Sequence, residues 1–574
     1  MNHAYRVVIA SAAGALAACS DNASGPNNGQ SCAEANLIAV PTLQGITVPA
    51  ENADCVDFEP GSGTYLIVPE FAAAATAITQ TGFAIGATAA ATTASSPMVA
   101  DGIASASPPR GAQAEFDARM RAVAHATALG LPTDVRSRLS TTRVQASVLP
   151  PPPVGSARVF SVCASLDCSS FNTDTAVLKF VGQNTLLYVS QHVFPPPQGF
   201  SDAQLSAFAT IMDQILYPLD TTTFAPPSDI DNNGRVMILM SLLVNAITPA
   251  STCLTEGYVA GFFFPPDLVP TTPHSNGGEL YYTIAPDPNG TASCAHTVQD
   301  VDDGNGATFL HELLHMINFN EKVFVNGLSD TEVEFLDEGM AKIAEELGSI
   351  YYETKYPPPL GRTNADQIFP DSAEGYISGD LFNSYQFLSS PVQSTATRSV
   401  GASTLGDAGA EWLFLRWLGD QQGESIFGRI VRSGLVGIPN VEAQSGRPYA
   451  TLLGEVGLAV YTDSLVGVPR DQVPATLRYG NRRWREIYPA VFRAVGGPTP
   501  DFPVPFPITL KTISASTTIT SAMLSGSMEF YKFVAPASGA PQRLRFSAPG
   551  GGALSSSLNA QVSVFHCPSD AACM

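Results

Sequence analysis

Residues 307–319 read ATFLHELLHMINF, and this stretch restricts the fold more tightly than any other in the chain. Phe309, Leu313, Leu314, Met316 and Ile317 demand a helix packed into a core. His311 and His315 are four positions apart, so they share one helix face, one turn from each other. Glu312 sits beside the first histidine. No proline and no further charge falls between Thr308 and Ile317. Such a helix must be buried, yet it carries a carboxylate and two imidazoles that need partners. One explanation is a core helix with hydrogen-bonded histidines and a capped glutamate. The other is a metal ion held by both imidazoles, with bonds of about 2.0–2.1 Å. The cost of burying Glu312 between two histidines without a role favours the metal.

The order His-Glu-x-x-His suits hydrolysis. A zinc ion lowers the pKa of a bound water to about 7, and a carboxylate next to the first ligand can take its proton. This is the form the motif takes in metalloproteases, with Glu312 as general base. A catalytic zinc needs a third protein ligand. Downstream, FLDEGMAKIAEEL falls in a predicted helix over 331–349.

That segment resembles the second helix of the Glu-zincin peptidases, in which an apolar-Leu-Asn/Asp-Glu-Gly sequence supplies the third ligand. Matched by motif, the ligand is Glu338. Glu334, one turn earlier, is the rival, and Asp337 reads as a solvated helix residue. Over 307–347 the run HELLHMINFNEKV…FLDEGMAKIAEEL is most similar to the hyicolysin family of bacterial neutral zinc metalloproteases, and more loosely so from about 158 to 495. Asp337 stands where that family has Asn. The resemblance implies an α+β, zincin-like catalytic domain: a twisted sheet, the zinc helix, then a helical subdomain. It implies one catalytic Zn²⁺, held by His311, His315 and Glu338, and protein or peptide substrates. Glycine at 339 is expected to let the second helix pack closely on the first. An oxyanion stabiliser is expected after the third ligand. Tyr351, Tyr352, Tyr376 and Tyr385 are the candidates, while His274 and His296 read as surface residues.

DIDNNGRVMIL (229–239) places Asp229, Asp231 and Asn233 at alternate positions before Gly234, similar to the start of an EF-hand loop. The twelfth position is Met240, not Glu. A polar turn held by its own side chains and a structural Ca²⁺ site both remain open.

The N-terminus is MNHAYR followed by VVIASAAGALAA and then Cys19. An apolar run of about a dozen residues is too short to span a bilayer, and has the length of a signal-peptide core. Ending it with LAAC resembles the bacterial lipoprotein signal, which implies cleavage before Cys19 and lipidation there. Ser20 in place of Asp points to the outer membrane or cell surface, and the lipid would be the sole membrane contact. The remaining eight cysteines fall into local pairs: Cys32 with Cys55, Cys163 with Cys168, Cys253 with Cys294, Cys567 with Cys573. An exported chain makes disulfides the natural reading. A net charge of −22 repels phosphate backbones and argues against nucleic acid as a partner.

With 574 residues the chain exceeds one core. The expected organisation is a signal peptide at 1–18 and a flexible tether at 19–35. A small β module with an Ala/Thr/Ser-rich, linker-like segment follows at 36–110, then a helical segment with a Pro-rich break at 111–157. The peptidase domain is placed at 158–497, and a β-sandwich-like module at 508–574. The zinc helix is expected over 306–320, and GELYYTIA (278–285) is expected near the sheet edge, where an extended peptide could add. Two other readings stand beside the endopeptidase: an inactive surface adhesin on a peptidase fold, and a zinc aminopeptidase. The oligomeric state is not set by these patterns.

Overall fold

The motif helix begins earlier than its apolar period suggests and runs from Val298 to Phe319. The Thr297 hydroxyl accepts a hydrogen bond from Asp300 N–H, and the Asp300 carboxylate accepts one from Thr297 N–H at 2.7 Å. This reciprocal cap satisfies donors at the helix start and lets a polar turn, VQDVDDGNG, precede the apolar one. The computed structural model describes residues 32–77, 79–89, 98–100, 111–133, 136, 149–355, 374–398, 403–480 and 482–573. The expected signal segment and Cys19 lie outside the described residues.

The motif helix follows a six-stranded mixed sheet. Its order is Gly261–Phe263, Leu280–Thr283, Val236–Met240, Thr185–Ser190, Phe171–Val181, Ala157–Cys163. Val236–Met240 pairs in parallel on both sides and is buried throughout, as its unbroken apolar run VMILM requires. The 278–285 segment lies near the edge, as expected, but does not form it. Leu280–Thr283 is the second strand, and Gly261–Phe263 pairs antiparallel outside it. A three-residue strand is too short to carry a period, so the true edge was not readable.

From Asn320 to Ala494 the described residues are mainly helical. Glu334–Lys355 packs against the motif helix and against Leu405–Gln422. Gly339 serves the second of these contacts: a Cβ there would stand 2.7 Å from Leu415 Cδ1 and 3.1 Å from Glu411 Cβ. The expected close approach to the motif helix is thus made to another helix. Among the described residues no helix is long and apolar enough to cross a membrane.

The two ends of the chain, read as separate β modules, share one sandwich. In one sheet the order is Gly45–Pro49, Ala560–His566, Thr64–Phe71, Tyr531–Val534, Lys511–Ile513. In the other it is Asp57–Phe58, Gln542–Ser547, Thr81–Ala89, Thr517–Met523, Met98–Ala100. Alternation reports that a strand has one buried face but not which strand lies beside it. The linker-like segment also contains Thr81–Ala89, a strand paired on both sides. Its small residues fit because Gly86 lies directly against the Thr517 backbone. Phe58 fills the sandwich core against Tyr65 and Phe533, with ring centroids 4.7 and 4.8 Å away. The cysteines form four disulfides: Cys32–Cys55, Cys163–Cys168, Cys253–Cys294 and Cys567–Cys573.

Candidate metal centre

His311 and His315 present their rings from one face of the motif helix, with centroids 4.7 Å apart. Glu338, on the first turns of Glu334–Lys355, reaches both. Its Oε2 is 3.5 Å from His311 Nε2 and its Oε1 is 3.7 Å from His315 Nε2. Ligating atoms of the three residues lie within 4.8 Å of one another, and all three side chains are buried. His311 Nε2, His315 Nε2 and Glu338 Oε1 take no hydrogen bond from the protein. Buried polar atoms without partners are costly, and three of them converging on one point fit a metal ion.

The other nitrogen of each imidazole faces a carboxylate. His311 Nδ1 is 2.7 Å from Glu345 Oε1, and His315 Nδ1 is 3.1 Å from Asp337 Oδ2. Such partners fix ring orientation and raise the basicity of the ligating nitrogen. Lys342 Nζ in turn lies 2.6 Å from Glu345 Oε1, and the Asn318 amide donates to Asp337 Oδ1 at 2.6 Å. Asp337 is therefore a buried member of the site rather than a solvated residue. Burial disfavours a charged His311, but the Glu338 and Glu345 carboxylates outweigh it and raise its pKa well above the usual value. Burial opposes ionisation of Glu338 too, yet His315, His311 and Arg121 together hold it below the ordinary carboxylate range.

Glu312 is 1 % exposed and accepts a hydrogen bond at Oε2 from Phe263 N–H at 2.9 Å. Its Oε1 is free of hydrogen bonds. Burial pushes its pKa up to about 8, with the attraction of His311 opposing. The rival Glu334 is turned elsewhere, accepting from Ser403 N–H at 3.0 Å and from its hydroxyl at 3.1 Å.

The candidate tyrosines do not gather at this cluster. Tyr385 donates to the Val504 carbonyl at 2.6 Å. Tyr376 packs against Gly306 and Gly348, more than a helical turn before His311, and Tyr352 lies 5.4 Å from it, with Tyr351 next to Tyr352. His274 is exposed and stacks on Phe171, while His296 is buried against Tyr258. The surface reading therefore holds for the first histidine and not the second. Asp229 and Asp231 hold their own loop, accepting from Gly234 N–H at 2.9 Å and from Asn233 N–H at 3.1 Å.

A segment that the sequence reading set apart from the peptidase domain covers the cluster. Helix Ala112–Gly130 buries Phe116, Met120, Ala124 and Ala128, a stripe at four-residue spacing. Phe116 meets Phe262 on the edge strand with centroids 5.0 Å apart. The Gln113 side chain occupies that strand's outer edge, accepting from Ala260 N–H at 2.7 Å and donating to Gly261 C=O at 3.1 Å. Arg121 Nη1 reaches Asp337 at 3.4 Å and Glu338 at 3.6 Å. The buried stripe was readable as a helix face needing a cover, but nothing local marked Arg121 or Gln113.

Two helices beside a mixed sheet thus bring His311, His315 and Glu338 together as a group able to hold a metal ion. The chain is similar to the neutral metalloprotease ShpI of Staphylococcus hyicus, at 30% identity over 172 residues, or 30% of this chain. The match covers 36% of that protein, so the chain spans about a third of the length of the curated relative it matches. No family model matches the chain.

Proposed function

We propose that this protein is an exported, lipid-anchored zinc endopeptidase of the hyicolysin type. The observation that carries the reading is the convergence of Glu338 on both motif imidazoles, with atoms free of hydrogen bonds pointing at one place. His311, His315 and Glu338 would hold the zinc. When bound, zinc acts as a Lewis acid and acidifies the attacking water. Glu312 accepts the proton of that water and delivers it to the leaving amine. Glu345 and Asp337 orient the two imidazoles.

An extended peptide would lie along the edge strand Gly261–Phe263, using the outward backbone groups that Gln113 now occupies. Substrate therefore has to displace helix Ala112–Gly130. The anchor at Cys19 is supported by the short apolar leader ending in LAAC, and export by the eight paired cysteines.

The test is zinc content together with hydrolysis of casein and of peptides blocked at both ends, for wild type and Glu312→Gln. The expected result is one zinc in each protein and cleavage by wild type alone. A zinc-loaded wild type that cleaves nothing, even after removal of the 112–130 helix, would defeat the reading.

A further inference from the structure

The Asp229–Gly234 loop leads directly into strand Val236–Met240, and Glu279 immediately precedes its parallel neighbour Leu280–Thr283. Met237 N–H donates to the Glu279 carbonyl at 2.7 Å, which sets Glu279 beside the loop. Carboxylate oxygens of Asp229, Asp231 and Glu279 lie within 4.8 Å of one another. Two calcium–oxygen bonds of about 2.3–2.6 Å laid end to end span about 4.6–5.2 Å, so one ion can touch all three.

A second observation points the same way. Glu279 is 1 % exposed. Its Oε1 accepts from the Ser228 hydroxyl at 2.6 Å and from Ile230 N–H at 3.0 Å, but Oε2 takes no hydrogen bond from the protein. Glycine at 278 leaves room for the arrangement: a Cβ there would stand 2.9 Å from Asp231 Oδ2. Every donor is an oxygen, the chemistry of a hard cation. Asn233, by contrast, is used within the loop, its Oδ1 accepting from Arg235 N–H at 2.6 Å and its amide donating to Asp231 Oδ2 at 2.6 Å.

We propose that Asp229, Asp231 and Glu279 form a calcium site distinct from the His311–His315–Glu338 cluster. Glu279, from the adjacent strand, supplies the acidic ligand that the loop's own twelfth position, Met240, does not. The ion ties the loop to the strand beside it and so braces the sheet whose edge carries the Phe263 hydrogen bond to Glu312. The site is a stabilising one and does not depend on the peptidase reading.

The experiment uses the full chain carrying Glu312→Gln to prevent autolysis, passed over a chelating resin and resupplied with one equivalent of zinc. Calcium binding is followed by calorimetry and by the rise in Tm. The expected result is one saturable site, with a Tm several degrees higher in millimolar calcium. Glu279→Gln and Asp229→Asn should each weaken binding about tenfold or more. Asp202→Asn, at the exposed ion pair with Lys179, should leave it unchanged. If Glu279→Gln fails to fold, the exposed Asp229→Asn decides alone. No saturable calcium binding by the parent chain, or undiminished binding in the folded variants, overturns the proposal.

Discussion

Arg121 Nη1 stands 3.6 Å from Glu338 Oε1, so a guanidinium from an upstream helix neutralises the carboxylate that joins the two motif histidines. The same helix takes up the edge strand through Gln113 and covers Phe262 with Phe116. If this contact holds the site closed, weakening it raises the fraction of open molecules. Arg121→Ala combined with Phe116→Asp should raise kcat/KM on an end-blocked peptide about tenfold. A fall in kcat with KM unchanged would instead make Arg121 a stabiliser of the reaction itself.

Glu338 and Glu334 lie one turn apart on the same helix and make different contacts. Glu338→Gln should abolish stoichiometric zinc binding, measured by metal analysis after gel filtration. Glu334→Gln, losing only its hydrogen bonds to Ser403, should retain one zinc and most activity. Zinc loss in the second variant and retention in the first would reverse the assignment.

Glu345 touches His311 and not the cluster centre. Glu345→Gln should weaken zinc about 10–100-fold in competition with a chelating dye. The fold should survive, because Gln can still accept from the Lys342 ammonium that now lies 2.6 Å away.

Glu70, outside the metal cluster, couples pH to stability. It is fully buried, accepts from the Gln561 amide at 2.5 Å, and lies where that amide also reaches the Ala450 carbonyl. Burial lifts its pKa from 4.5 to about 8, the Gln561 hydrogen bond opposing. The folded chain therefore holds this proton more tightly than the unfolded one. Its contribution is complete below pH 4.5, is lost as pH rises toward about 8, and changes little beyond. Urea midpoints across this range should fall with pH in wild type, and Glu70→Gln should flatten that part of the slope. An unchanged slope would mean that another buried acid carries the effect.

The motif helix was legible because its information is local: a 3.6-residue period, two histidines one turn apart, and a glutamate too costly to bury idle. The cysteine pairs were local as well. Glu338 over Glu334 could be favoured from the Leu-Asp-Glu-Gly context, but both sit on one helix face. Only the packing of that helix on its neighbours directs one to the imidazoles and the other to Ser403.

The rest depended on contacts between distant residues. Alternation in Gly45–Pro49 and Ala560–His566 called for strands, but a ladder joining the two ends of the chain leaves no trace in either segment. Asp229 and Asp231 were visible in their loop, while Glu279 joins them only through the parallel register of two strands. Helix Ala112–Gly130 announced a buried stripe without naming what it covers. The sequence by itself determined which residues could do chemistry, since residue type and helical spacing are properties of the chain. Tertiary structure decided which of them meet and what lies over them, because buried charge and backbone hydrogen bonds are satisfied only by partners that folding delivers.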